Sequence, residues 1–353
     1  MDWAQEIDSL TFATAERLAR QHVGVVVAAV ADGHVGFAGA GSAGGTGSGT
    51  PGADTLFEIG SVTKTFTALT LARMADTGAV ELDEPLARLL PDGTAVPSRD
   101  GQEITLRHLA THTSGLPRLP KGMMLRALLR PRTPDPYADC TADALLSGLA
   151  RTRLRSAPGR RMHYSNLGAG LLGLALARRA GTTYGELVGS QVCAPLGMSD
   201  TLVAAHATRP GRLAQGHDRK RRPTPPWNLA DLAGAGGLWS SATDLVAYVR
   251  AQLDGGPAEL AEAIRLSRQV EHRSTRFTWM HLGWTAHRLH PRQGAHLQIW
   301  HNAGTGGFSS FTGFDPETGT AVIVLSNTQR GVDAAAFDLL RTLQGRVCAR
   351  GAS

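Results

Sequence analysis

Lysine is nearly absent from this chain. Of the 36 basic residues only Lys64, Lys121 and Lys220 are lysine, and all the others are arginine. Arginine does not give up its proton near neutral pH, whereas a lysine desolvated beside a cationic neighbour can, so a lysine here is a candidate for chemistry that arginine cannot perform. Cysteine is equally scarce. Cys140, Cys193 and Cys348 are odd in number and show neither CxxC nor metal-ligand spacing, which argues against a disulfide framework or a zinc module and leaves free thiols. The longest apolar stretches, Val23 to Ala31 and Leu167 to Ala177, are too short or too interrupted to span a bilayer, so no membrane association is expected. The first residues, Met1-Asp2-Trp3-Ala4-Gln5-Glu6, show no basic region followed by an apolar run, and the expectation is a cytoplasmic protein.

What is present describes a large soluble globular chain. At 353 residues it can bury a sizeable core, and 42% hydrophobic with 19% charged residues excludes a disordered or fibrous class. The net charge of +6 raises the question of nucleic acid. Its densest basic run, Arg219-Lys220-Arg221-Arg222, leads into Pro223, Pro225 and Pro226 and reads as an exposed loop. A second cluster comprises Arg151, Arg153, Arg155, Arg160 and Arg161. Without a helix-turn-helix, zinc or RNA-binding signature these are solvated basic surfaces, and no nucleic-acid partner is expected.

Periodicity predicts a helix over residues 2 to 21, then a hairpin of Val23 to Ala31 and His34 to Ala40 joined at Asp32-Gly33. Near the other end, Leu282 to Leu289, Leu297 to His301, Phe308 to Asp315 and Thr320 to Ser326 read as strands and Asp333 to Leu343 as a helix. Between them lie predicted helices at Phe66 to Asp76, Leu106 to Thr111, Ala142 to Ala150, Leu167 to Ala180, Tyr184 to Val192 and Ala242 to Leu253. Gly41 to Gly52 reads as a flexible loop. The expected fold class is α/β, an antiparallel β-sheet flanked by N- and C-terminal helices with an inserted mainly helical domain. Residues 1–60 and 236–353 would form the sheet domain and 61–235 the helical one, with the active site in the cleft between them.

Three short motifs carry chemistry. In Ser61-Val62-Thr63-Lys64 a serine opening a helix has the lysine one turn on, on the same face, where its amine reaches the hydroxyl. The preceding Phe57-Glu58-Ile59-Gly60 reads as a short apolar approach with a flexible glycine. In Tyr164-Ser165-Asn166 a tyrosine near a cationic lysine can be stabilised as phenoxide and relay a proton, and an asparagine offers both donor and acceptor to a carbonyl compound. His301-Asn302-Ala303-Gly304-Thr305-Gly306-Gly307 places small residues after a strand, where backbone can approach a bound acyl group closely. Taken singly, these are also an N-cap with a solvated lysine, a helix-entry loop and a glycine-rich hairpin.

Taken together, the order SxxK, YxN and a KTG-like triplet resembles the penicillin-recognising serine hydrolases: class C β-lactamases, D-Ala-D-Ala carboxypeptidases and family VIII esterases. The resemblance spans roughly residues 20 to 330 and includes Ile104 to Pro117, Pro158 to Leu172, Ala194 to Met198 and Gly236 to Ser240. It implies the β-lactamase/transpeptidase-like fold, with Ser61 as nucleophile, Lys64 as its base and Tyr164 as proton relay. By the same resemblance Asn166, His301, Asn302 and Ala303 bind substrate, the N–H groups of Ser61 and Gly304 hold the oxyanion, and no metal or organic cofactor is needed. The partner is a small ester or amide, with an acyl acceptor or carrier if the enzyme is a transferase. An intracellular acyltransferase and a non-catalytic penicillin-binding-like sensor are the alternatives.

The chain departs from the pattern at His301-Asn302-Ala303, which stands where those families carry Lys-Thr-Gly. A mostly neutral histidine weakens the fixed charge that holds a penicillin carboxylate, and Ala303 adds a methyl group near the acyl site. The expectation therefore shifts from β-lactamase action towards hydrolysis of another small ester or amide. The Pro117 to Asp139 and His206 to Trp227 loops are expected to line the cleft.

Overall fold

A valine- and alanine-rich strand covered on both faces anchors the architecture. The computed structural model describes residues 2–44, 49–119, 135–203 and 205–351, and of 206, 207 and 210 the backbone alone. Helix α1 (Trp3–Ala19) leads into β1 (Gly24–Ala31) and β2 (His34–Gly41). The turn between the strands has Asp32 at φ 50° and Gly33 at φ 76°, the pair of left-handed residues that matches hairpin twist. Every residue of β1 is buried.

The chain continues through β3 (Phe57–Glu58) and α2 (Thr63–Asp76) to α3 (Leu106–Ala110), α4 (Ala142–Ala150), α5 (Asn166–Ala180) and α6 (Tyr184–Val188). After β4 (Leu202–Val203) and β5 (Leu238–Ser240) come α7 (Ala242–Asp254) and α8 (Ala258–Gln269). Strands β6 (His272–Arg273), β7 (Thr278–Met280), β8 (Thr285–Arg288), β9 (Leu297–Gly304), β10 (Ser309–Asp315) and β11 (Thr320–Ser326) precede α9 (Asp333–Gly351).

Eight strands form one antiparallel sheet in the order β2-β1-β11-β10-β9-β8-β7-β6, so the first hairpin pairs with the last strand, Val25 opposite Ser326. One face buries Ile7, Ala15 and Leu18 of α1 and Ala336, Leu339, Leu340 and Leu343 of α9 against Val25, Val27, Val322 and Val324. The other face shares a core with α2, α5, α7 and α8, including Val26, Phe66, Leu171, Leu245 and Ile264. Alternation of side chains along β1 thus supplies both cores from one strand.

Some expectations need correction. The strand expected over Leu282 to Leu289 is the shorter β8, and Leu282 to Trp284 form the turn from β7, with Gly283 at φ 71°; a Cβ there would lie 2.8 Å from the Lys64 carbonyl oxygen. Glycine is therefore required for the turn to pack on α2. The helix expected over Tyr184 to Val192 is α-helical only to Val188 and continues as a π-turn over Gly189–Cys193. Helix α8 and a small sheet, β3-β5-β4, were not expected. Two-residue strands carry too little alternation to be read, yet this sheet joins Phe57 to Ser240 and Glu58 to Trp239 just before Ser61. Cys140 and Cys193 are buried thiols and Cys348 is exposed. Among the described residues no helix is long and apolar enough to cross a membrane. The Gly41 to Gly52 and Pro117 to Asp139 loops lie partly outside the described residues.

Close approach between α5 and the turn over Ala230–Ala235 sets the position of the site. At Gly173 a Cβ would lie 2.9 Å from the Gly234 Cα, and at Gly170 it would lie 2.8 Å from Leu232 Cγ. The Ala235 carbonyl at the end of this turn accepts a hydrogen bond from Lys64 Nζ at 2.6 Å. A methyl group on α5 therefore reaches the Lys64 amine through one backbone segment. G173A is expected to lower unfolding stability by about 2 kcal/mol despite its better helix propensity, because overpacking outweighs the propensity gain. Chemical denaturation measures this, and an unchanged midpoint would show that the segment yields freely.

Candidate active site

Ser61 sits in a single 3₁₀ turn, Gly60–Val62, that runs directly into α2. The turn is pinned from three sides. Ile59 N–H donates to the Leu238 carbonyl (3.0 Å), the Ile59 carbonyl accepts from the Ser310 hydroxyl (2.9 Å), and Thr63 Oγ1 accepts from Leu238 N–H (3.2 Å). Gly60 adopts φ 46°, and an added Cβ would meet Ala303 Cβ at 3.1 Å. The methyl of Ala303 thus lies against the residue before the nucleophile.

Lys64 Nζ is 2.9 Å from Ser61 Oγ. The lysine is 3% exposed while Ser61 is half-buried, so the amine is dry and the serine hydroxyl accessible. Burial, assisted by the Arg118 charge, holds the amine well below the usual lysine range, which favours its neutral form. The Tyr164 hydroxyl hydrogen-bonds with Ser61, and burial raises its pKa to about 12. Burial thus favours the phenol of Tyr164 over the phenoxide that a cationic lysine can stabilise.

Tyr164 is held by an unusual histidine. His112 is buried and takes φ 57°, a left-handed conformation rare for a residue with a Cβ. In that conformation its carbonyl accepts His163 N–H (2.7 Å), its Nδ1 accepts Ser165 N–H (3.3 Å), and its ring lies 4.5 Å from the Tyr164 ring. Both amides flanking the tyrosine are gripped by one residue. Strain of this kind persists where the surroundings over-determine it.

His301 lies on β9, 3% exposed, with its ring 6.2 Å from that of Tyr164 and Nδ1 2.8 Å from the Asn302 carbonyl oxygen. Burial lowers its pKa to about 3, so it brings no positive charge. Asn302 departs from its expected role. Strand alternation turns it to the other side of the sheet, where its Nδ2 donates to Asp333 Oδ1 at 2.7 Å. Ser61, Asn166 and Gly304 line one narrow cleft together with Tyr137, Trp227, Leu229 and Thr305. Among the described residues no group of three or more His, Cys, Asp or Glu is placed to hold a metal ion.

The two loops expected to line the cleft do so through Tyr137 and Trp227, although neither residue was singled out from the sequence. The two rings pack with centroids 5.1 Å apart, and Asp135 ties their segments by accepting N–H bonds from Tyr137 and Asn228. Both lie in loops without periodicity. Glu58 had a visible signal, an acid inside the apolar run Phe57 to Ile59, and it is 4% exposed. Its Oε1 accepts Trp227 N–H at 2.8 Å and its carboxyl bonds with Thr305, so it braces two walls of the cleft. Burial raises its pKa to about 7.

The comparisons with known proteins agree with this geometry. A family model described as Beta-lactamase matches residues 11–345. The chain is 30% identical over 287 residues to the D-alanyl-D-alanine-carboxypeptidase/endopeptidase AmpH of Escherichia coli K12, covering 78% of this chain and 71% of that protein. Its fold is similar to a class C beta lactamase from Rhodobacter sphaeroides, with TM-score 0.78, 26% identity and coverage of 94% and 97%. A Beta-lactamase/D-alanine Carboxypeptidase from Yersinia pestis, solved with citrate, aligns with TM-score 0.80 and 25% identity over 100% of both chains.

Two outcomes follow from the site. The Glu58 pKa of about 7 in the folded protein exceeds the ordinary carboxylate value of 4.5, so its stabilising contribution is complete below about pH 4.5 and is lost as pH rises through 7. Relative to E58Q, which keeps an acceptor for Trp227 N–H, the native protein should lose up to about 3 kcal/mol across that window. Parallel denaturation curves would refute it. H112G relieves the left-handed strain but empties the space of a buried ring, so it should lower the melting temperature, and it should lower kcat about a hundredfold by releasing Tyr164. Full activity in H112G would reduce His112 to a packing residue.

Proposed function

The chain is a serine hydrolase of the beta-lactamase family, and from that premise we propose that it cleaves a small ester or amide through an acyl-Ser61 intermediate. The observation that carries this reading is the convergence of a desolvated Lys64 amine and a protonated Tyr164 hydroxyl on one accessible serine oxygen.

The cycle follows from the protonation states. Lys64 Nζ takes the Ser61 proton as Oγ attacks the carbonyl carbon, and the N–H groups of Ser61 and Gly304 stabilise the oxyanion. The phenol of Tyr164 donates its proton to the departing oxygen or nitrogen and is reprotonated by the lysine it faces. Water then attacks the acyl-serine, passing a proton to the same relay, and Ser61 is restored. The charge that develops on the carbonyl oxygen meets fixed dipoles at the start of α2, with no rearrangement at the moment of reaction.

An amide next to the reacting carbonyl is favoured by two buried polar atoms of cleft residues that have no partner among the described residues. Asn166 Oδ1 can accept an N–H and Trp227 Nε1 can donate to a carbonyl. The D-alanyl peptides implied by the name of AmpH carry such groups, and peptide-like amides are therefore the first substrates to try. The neutral His301 and the Ala303 methyl disfavour efficient β-lactamase action, because neither supplies the charge that a penicillin carboxylate needs.

Intact-protein mass spectrometry with a short-chain p-nitrophenyl ester should show a transient acyl adduct on the native enzyme and none on S61A. K64A and Y164F should still fold and acylate slower by roughly a hundredfold or more. Turnover retained in S61A would overturn the assignment.

A further inference from the structure

Four potentially cationic groups surround the ring of Tyr164, and burial acts against the charge of three of them. Lys64 Nζ is 4.9 Å from its centroid, and the His112 and His301 rings lie 4.5 and 6.2 Å away. Burial lowers the pKa of all three. The fourth is Arg118, whose guanidinium carbon stands 5.1 Å from the centroid. It is exposed, and no carboxylate among the described residues pairs with it. The two acids bordering the cleft are engaged elsewhere, Glu58 with Trp227 N–H and Asp135 with the N–H groups of Tyr137 and Asn228.

The position of Arg118 is built in. Its carbonyl accepts Asn166 N–H at 2.9 Å and Leu167 N–H at 3.2 Å, closing the start of α5, so the residue is fastened beside the asparagine that lines the cleft. Its charge also acts on the hydroxyls of Tyr137 and Tyr164, favouring their ionised forms against burial. The residue therefore stands beside Tyr164 and Asn166, and Asn166 lines the cleft together with Tyr137.

We propose that Arg118 is a specificity-determining residue that selects substrates whose acyl portion carries a carboxylate, which its exposed guanidinium beside Tyr164 and Asn166 pairs. This rests on the acyl-Ser61 reading. Carboxylate and guanidinium meet in a bidentate fork, and a cation already stacked on an aromatic face loses little freedom on pairing.

The test compares the p-nitrophenyl monoester of adipic acid with its neutral methyl-capped counterpart on the native enzyme, R118Q, R118K and S61A. The native enzyme is expected to prefer the anionic ester by about tenfold or more in kcat/KM, and the preference should fall with added salt. In R118Q it should collapse towards unity, mainly through KM of the anionic ester, and R118K should restore part of it. Ser61-dependent turnover with no anionic preference, or with a preference that survives in R118Q, overturns this inference and leaves the hydrolase reading standing. Absence of Ser61-dependent turnover of either ester overturns both.

Discussion

A single amine held out of water beside a serine hydroxyl is the constraint on which the rest of this molecule depends. In water Lys64 would be an ammonium and could accept nothing. Its neutrality comes from burial, and burial of an amine is unfavourable unless its polar atoms are met. The Ala235 carbonyl and Ser61 Oγ meet them. The Ala230–Ala235 turn brings its carbonyl to that nitrogen and the Gly283 turn packs on the Lys64 backbone, each brought close by a residue without a Cβ. The site is thus dry behind the nucleophile and open in front of it.

Around this centre the protein keeps charges neutral where neutrality lets protons move. Tyr164 remains a phenol and His301 an imidazole for the same reason that Lys64 remains an amine. Proton transfer among groups of one charge type requires little reorganisation of the surroundings. The strained His112 belongs to this economy, because it fixes the tyrosine through its backbone neighbours and adds no charge of its own.

Much of this was legible in the sequence, for identifiable reasons. A scarce lysine three residues after a serine is a local pattern, and so are the Asp32-Gly33 hairpin and the helix caps; local patterns survive translation into structure. Ser61, Lys64, Tyr164, Asn166, His301, Ala303 and Gly304 were accordingly found at or beside one centre. Asn302 was not, because motif spacing does not say which face of a strand a side chain takes. Tyr137 and Trp227 were missed because their proximity is made by loop closure over 90 residues of chain, and Glu58 because its partners come from two other loops. The state of the tyrosine was not legible because ionisation depends on burial, which no spacing encodes.

The pairing of β1 with β11 carries a consequence for how the molecule comes into being. Val25 waits for Ser326, and the Ile59 carbonyl waits for the Ser310 hydroxyl, so the first hairpin and the nucleophile turn are both completed by strands made about 250 to 300 residues later. During synthesis the edge of β1 is an unsatisfied template of valine and alanine, the kind of surface that attracts foreign strands. A nascent chain that has not yet emitted β10 and β11 holds a serine and a lysine but no turn to set them against each other. Hydrolytic power therefore arrives late and at once, after the ribosome has released enough chain to close the sheet, and an unfinished product is chemically silent.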